Sequence, residues 1–323
     1  MGNVALIRPM LLLLAALVIA IFVASTFGTA SVSWRDAIAG EPTARTVLFD
    51  IRLPRVLLAA LVGAALASAG VTFQTLLRNP LADPFILGVS GGAACGAAVT
   101  TALGLARIPG VVSIVAFLGA CAATAAVFVL ARRREYTDPT RLLLSGLVLN
   151  ALFSAIILIA FALAPAGDLT AALRWMMGTL FGATWNDVVL LLAFVIVAMI
   201  ALFTIGGDLR MLAFGEDDAK SRGVDTERIK LIGFAAGSIV TGAAVAVSGI
   251  IGFVGLLVPH LMRLMWRRDY RVLLPLSTVG GAILLVLADL ASRLALPDSE
   301  LPVGAFTAIL GVPFFLSLLR RSR

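Results

Sequence analysis

Side chains able to do covalent or acid–base chemistry are few in this sequence, and their spacing does not suit it. The single histidine, His260, follows Pro259 and has no second imidazole with which to share a metal, so it reads as a local hydrogen-bonding group. Cys95 and Cys121 form no CxxC pair and fall inside apolar runs, as small core residues do. The lysines, Lys220 and Lys230, follow no glycine, so the GxxxxGK[ST] phosphate loop is absent and any ATP must be bound by a partner. No nucleophile with a base and no paired carboxylates of an intramembrane enzyme are visible. No catalytic residue, cofactor or metal is therefore expected. What remains are charge clusters: Glu216, Asp217 and Asp218 with Lys220 and Arg222 behind them, Arg52 and Arg55 one turn apart, and Asp289 and Arg293 one turn apart. The chemistry open to these is ion pairing and docking.

The elements that must carry these charges are membrane helices. Of 323 residues, 61% are hydrophobic and 13% charged, against about a quarter charged in soluble domains. A spanning helix needs roughly 20 apolar residues. Runs near 8–28, 53–77, 85–105, 111–131, 141–164, 186–206, 271–294 and 303–319 qualify. The stretch 231–266 is too long for one span and is broken by SGIIGFVG, which predicts two more. The expectation is an all-α polytopic protein of about ten spans forming one domain over 1–323, lodged in the lipid bilayer of the cytoplasmic (inner) membrane. With both termini inside, most of the 25 basic residues fall on cytoplasmic segments. Only Arg35, Arg45, Arg52, Arg55, Arg107, Arg174 and Arg293 lie outside, as the positive-inside rule requires. The net charge of +7 is then mostly topology and gives no reason to expect a nucleic-acid partner. Arg8 with the apolar run and VASTFGTA resembles a secretory signal, but the run is longer than a signal core and reads as an uncleaved first span.

Between the second and third spans, RNPLADP carries two turn-forming pairs, Asn79-Pro80 and Asp83-Pro84, and reads as a cytoplasmic turn. Gly88, Gly92 and Gly96 then recur every four residues, predicting one small-residue face on which another helix packs closely. Ser238, Gly242 and Ala246 repeat the spacing in the seventh span. Asn150 and Gln74 are polar groups in apolar helices, read either as packing contacts or as lining of a pathway. The segment 170–182, with Trp175, Met176, Met177 and Phe181, is too short to cross twice and reads as a half-helix or as core. In GEDDAKSRGVDTERIK the acids occupy the first turn of a short helix, Lys220 and Arg222 its last turn, and Gly223 its C-terminal cap. Asp225 or Thr226 caps the next span. The segment, about 207–228, is either a solvated loop or a contact surface for a partner.

IRLPRVLLAALVGAALASAG followed by RNPLADPFILGVSGGAACGA resembles the hallmark region of the permease subunits of ABC importers for iron-siderophore complexes, haem and vitamin B12. The likeness continues through LRWMMGTLFGATW, GEDDAKSRGVDTERIKLIGFAAGSIVTGAAVAVSGIIGFVGLLVPHLMR and ADLASRLALPDSELPVGAFTAILGVPFFLSLLRR, in family order over nearly the whole chain. The resemblance implies a transport subunit with ten spans, a second permease subunit (the same chain or a different one), two ABC ATPase subunits and an external substrate-binding protein. An iron-siderophore complex is the leading cargo, with cobalamin and haem as alternatives. It further implies that residues 215–223 form the coupling helix for the ATPase. Arg52 and Arg55 would dock acidic residues of the binding protein, and Arg293 would either join them or pair with Asp289. The 170–182 segment, with Asn150 nearby, would serve the gate or pathway. An ion-coupled secondary transporter is the rival, and it would be expected to place ionisable groups near mid-membrane. Apart from Asp289 and Arg293 the spans are nearly free of them.

Overall fold

The computed structural model describes residues 2–28, 33–133, 136–266, 269–296 and 300–321. Arg134, Arg267, Arg268 and Arg323 of the inside charge, the last two residues of VASTFGTA, and residues 297–299 lie outside the described residues. In chain order the helices are α1 (Gly2–Thr26), α2 (Trp34–Ile38), α3 (Pro42–Arg45), α4 (Leu53–Leu76), α5 (Val89–Ala102), α6 (Val111–Ala131) and α7 (Pro139–Leu163). They continue with α8 (Ala166–Met176), α9 (Trp185–Thr204), α10 (Gly206–Phe214), α11 (Glu216–Ser221), α12 (Thr226–Ser248), α13 (Val254–Met265), α14 (Tyr270–Leu294) and α15 (Val303–Arg321). A two-residue antiparallel pair, Arg132–Arg133 with Tyr136–Thr137, turns α6 into α7.

Among the described residues seven helical runs are long and apolar enough to span: Ile7–Thr26, Pro42–Leu76, Val111–Ala131, Pro139–Leu163, Trp185–Thr204, Thr226–Ser248 and Tyr270–Leu294. Val254–Met265 and Val303–Phe314 are shorter apolar helices, and α5 has 14 residues. The ten segments expected from sequence are thus seven full-length candidates and three short helices. The second span begins earlier than expected, because a π-helical turn over Thr46–Arg52 joins α3 to α4. Pro54 has no N–H to offer the carbonyl four residues back, and the ladder widens just ahead of it.

At the centre stands α4, which is apolar on every side because it is buried on nearly every side. Lipid tails supply no hydrophobic force between helices, so close backbone approach must hold them together. Gly63 of α4 and Gly281 of α14 meet backbone to backbone, and a methyl on either would strike the other's carbonyl. Gly92 of α5 and Gly119 of α6 repeat the arrangement, and Gly96 lies against the Val115 carbonyl. In contrast, α1 and α7 are mostly exposed, as helices on the lipid side of a bundle are.

Two sequence expectations change here. Gly88 is not on the packing face of α5. It precedes the helix at φ +86° and starts it. Nor is RNPLADP wholly a surface turn. Arg78, Pro80 and Leu81 are exposed, whereas Ala82, Asp83 and Pro84 are buried, and the chain stays irregular down to Gly88. The Asn79 side chain accepts from Leu81 N, and the Asp83 carboxylate accepts from Phe85 N. Asn150 then donates to the Phe85 carbonyl (3.2 Å) and to that of Ile86 (3.4 Å). Asn150 lies about 16 Å along α7 from its start, so residues 82–88 dip into the bundle and α5 begins well inside it.

Candidate functional site

Helix α11 is bracketed by two glycines. Gly215 at φ +151° separates it from α10, and Gly223 at φ +81° follows its last turn. Gly223 N donates to Lys220 O and Val224 N to Ala219 O, which is the paired pattern of a Schellman cap. Glu216, Asp217 and Asp218 occupy its first turn and Lys220 its last, while Arg222 is the cap residue itself. Asp225 caps α12 by accepting from Arg228 N.

Lys230, one turn into α12, fastens this helix to the rest of the protein. Its ammonium is buried and donates to Glu216 (2.9 Å), to Glu227 (2.8 Å) and to the Thr137 carbonyl (3.0 Å), and it lies 4.5 Å from the centre of the Tyr136 ring. The Thr137 hydroxyl donates to Glu227, and Lys220 pairs with Glu216. Burial alone would raise the Glu216 carboxyl, but hydrogen bonds from Lys230 and Lys220 outweigh it and hold the group below its ordinary value. The α6–α7 turn, α11 and the first turn of α12 therefore share one buried cation. Beside it, Arg78, Tyr136 and residues 215–218 and 220 line an open groove of about 530 Å³. Phe214 is 74% exposed next to this charged face. In the sequence Lys230 counts only against a phosphate loop and toward the inside charge, and Tyr136, Thr137 and Phe214 carry no signal of their own. A lone lysine inside the N-terminal turn of a span was the available signal.

At the opposite end of α4 the arginines form a cluster with carboxylates and helix-end carbonyls of the same chain. Asp289, fully buried on α14, lies between Arg55 Nε (2.8 Å) and Arg293 Nε (3.1 Å), and Glu300 takes both oxygens to Arg55 Nη1. Arg52 donates to the carbonyls of Ser25 and Thr26, and Arg293 to those of Ala24 and Phe27. Those of Ala24, Ser25 and Thr26 are last-turn carbonyls of α1, which have no partner within the helix and form the negative end of its dipole, and Phe27 follows directly after it. Arg52, Arg55 and Arg293 are each at most 7% exposed. Isolated carboxylates and helix-end carbonyls cannot stay unpaired in an apolar bundle, and within the chain these guanidiniums pair with them.

The 170–182 segment resolves into α8 and a glycine junction. Thr179 N donates to Ser248 O at the end of α12 (2.8 Å). A methyl on Gly178 would meet the Ile250 carbonyl, one on Gly249 the Trp175 carbonyl, and one on Gly304 the Met177 carbonyl. Three segments thus cross backbone to backbone, at the ends of α8 and α12 and the start of α15. Gly178 and Gly249 have φ of +76° and +68°, which side-chain-bearing residues rarely adopt. Trp175 and Met176 are half-buried; Met177 and Phe181 are exposed. Asn150 donates to the Phe85 and Ile86 carbonyls, and Gln74 donates to Gly255 O and accepts from Arg263. Among the described residues no cluster of potential metal ligands occurs.

A charged helix at one end, a locked ion cluster at the other and a backbone crossing at the ends of α8 and α12 call for comparison with known transport subunits. The model of the FecCD transport family matches residues 12–321. The chain belongs to that family. An uncharacterized ABC transporter permease protein of Bacillus subtilis, YvrB, is 43% identical over 303 residues, covering 90% of this chain and 85% of that protein. The cobalamin import system permease protein BtuC of Halobacterium salinarum is 43% identical over 279 residues, covering 86% and 74%. Among solved structures, an inward-facing conformation of a putative metal-chelate type ABC transporter superposes with a TM-score of 0.87 at 31% identity, covering 97% of this chain and 99% of that one. This FecCD member is a permease subunit of an ABC importer and a multi-pass protein of the cytoplasmic membrane. It is a transport component, and ATP hydrolysis belongs to a separate subunit.

Proposed function

We propose that this chain is the membrane subunit of an importer for a bulky metal chelate, cobalamin or a ferric siderophore. It would work as a pair of permease subunits with two ATPase subunits at the α11 face and a binding protein outside. The distribution of arginines favours ten segments with both termini in the cytoplasm, which puts α11 inside. The observation that carries the mechanism is the Lys230 cluster. It ties a short charged helix to two other cytoplasmic elements, so a push on α11 is passed to α12 and to the α6–α7 turn without being absorbed by a slack loop. Motion of α12 reaches the glycine junction at its far end, where the apolar Met177 and Phe181 offer a large cargo contact without a tight polar site that would slow its exit. The 43% identity to a cobalamin permease puts that cargo beside the siderophore, and haem is the remaining alternative.

The test is reconstitution of the chain in proteoliposomes with the ATPase and binding protein encoded nearest to it, followed by uptake of cyanocobalamin, a ferric hydroxamate and haem. ATP-dependent accumulation of one chelate, abolished when either partner is left out, is the expected result. Uptake driven by a proton gradient without an ATPase would overturn the reading in favour of a secondary transporter.

A further inference from the structure

Between α6 and α12 a lateral groove of about 340 Å³ opens on the outer face of the bundle, within the range of about 300–1,000 Å³ common for ligand cavities. Its walls include Cys121, Ala125 and Phe128 on one side and Leu231, Ala235 and Ser238 on the other. Hydroxyls are scarce there, and that of Thr124 is spent on the Ala120 carbonyl. The rim residues Val129 and Leu231 are 70% and 50% exposed, so the groove is open along the side of the chain.

At one end the character changes. On α6 the positions 121, 125 and 128 share a face, with Arg132 the first residue after the helix, and on α12 so do 228, 231, 235 and 238. The groove lining therefore runs directly into Arg132 on one wall and Arg228 on the other, at the end of α6 and the start of α12. Both are exposed, and neither has an ion-pair partner among the described residues. Lys230 and Lys220 are engaged by Glu216 and Arg210 by Asp269, while Arg78, Arg141, Arg222 and Arg271, which also have no carboxylate partner among the described residues, do not continue the groove lining. An apolar channel along the acyl region that ends in two free guanidiniums at the water boundary is complementary to an amphiphile with an anionic head. Basic pockets between membrane helices are a recurrent way of holding such headgroups.

We propose that the α6–α12 groove binds an anionic phospholipid, one acyl chain lying along Ala125, Phe128 and Ala235 and the phosphate held between Arg132 and Arg228. With the orientation proposed above the lipid belongs to the cytoplasmic leaflet, but its binding does not depend on the chain being a chelate importer. A neutral lipid would leave the arginines unused, and a small anion would leave the groove unused. Bound there, the lipid would brace α12 on the face away from Lys230.

The experiment is native mass spectrometry of the detergent-purified chain with phosphatidylglycerol and phosphatidylcholine of identical acyl chains. One arginine near the membrane surface favours an anionic lipid about five-fold, so roughly 25-fold enrichment of phosphatidylglycerol is expected for two. The double variant Arg132→Gln, Arg228→Gln should bind both lipids equally, and its thermal unfolding in lipid-free detergent should match the parent because both side chains are exposed. Ala235→Phe, which fills the groove, should lower retention of both lipids. Equal retention of the two lipids by the parent chain would overturn the proposal, as would an enrichment that survives the double substitution. Displacement of phosphatidylglycerol by millimolar inorganic phosphate would reduce the site to an anion contact and also defeat it.

Discussion

Replacing Lys230 with methionine keeps most of the side-chain volume and removes the one charge that the α6–α7 turn, α11 and α12 share. The ammonium makes two hydrogen bonds to carboxylates and one to a carbonyl, with an aromatic ring at 4.5 Å. Hydrogen bonds to charged groups are worth about 1.5–3 kcal/mol each. Glu216 retains Lys220, and Glu227 is 28% exposed and regains some water. The net loss is therefore nearer about 3 kcal/mol, the lower end of the range for breaking a buried pair. That corresponds to a factor of about 10² in the equilibrium for releasing α11. Hydrogen exchange reads it directly: the amides of Ala219 and Val224, bonded to the carbonyls of Gly215 and Ala219, should lose about two orders of magnitude of protection while amides in α4 are unchanged. The reconstituted transporter should hydrolyse ATP with little uptake. The acid limb has a defined sign. The folded Glu216 carboxyl titrates below its ordinary value of 4.5, so its contribution is complete above that pH and is lost as the pH falls through the lower folded value. Protection at Ala219 reduced by less than about three-fold in the variant would refute the reasoning.

Asp289→Ala should be more damaging than any change at the charged face of α11, because it removes the buried carboxylate that two guanidiniums share and leaves Arg55 with Glu300 alone and Arg293 with neutral carbonyls. A loss of about 3–5 kcal/mol, read as a lowered unfolding temperature in detergent, is expected, and an unchanged unfolding temperature would contradict the cluster. Ala219→Pro removes the bond to Gly215 O and crowds that carbonyl, costing about 3 kcal/mol or more; the chain should insert normally yet fail to couple, and full ATP-dependent uptake would reduce α11 to an ordinary loop. Gly249→Ala places a methyl against the Trp175 carbonyl at a left-handed φ. Uptake should fall while the Lys230 cluster keeps its exchange protection. Reporters fused after Arg323 and within the 132–137 turn should both report cytoplasm, and one at Glu41 the exterior; a C-terminal reporter active only outside would invert the topology.

Most of the helices were legible because apolar runs of spanning length have few alternative readings, and the break at 249–253 was marked by its glycines. The descent of residues 82–88 was not legible. Its backbone is satisfied by Asn150, a residue far along the chain whose amide looks the same in sequence whether it faces a pathway or a carbonyl. The contacts of the arginines were hidden for a related reason. One-turn spacing at a span's edge does not say what the guanidiniums touch within the chain, and the approach of the last turn of α1 to Arg52 and Arg293 is not written in it. At α11 the acids, lysine and glycine cap were readable because helix-end chemistry is local. Its anchoring through Lys230 was not, since the partners Tyr136 and Thr137 come from a different turn.

The link between Asn150 and the Phe85 and Ile86 carbonyls also bears on how the protein is made. The chain enters the membrane from its N-terminus, so α5 and α6 leave the ribosome before α7 exists. Until α7 arrives, the Phe85 carbonyl has only the long bond from Gly88 N and the Ile86 carbonyl lacks the Asn150 amide, and lipid cannot make up the difference. The α5–α6 hairpin therefore has to wait, half-inserted or sheltered by the insertion machinery, for a side chain from the next helix. Loss of the Asn150 amide would then appear first as slow or failed biogenesis, with misinserted chains cleared by quality control, before any defect in transport could be measured.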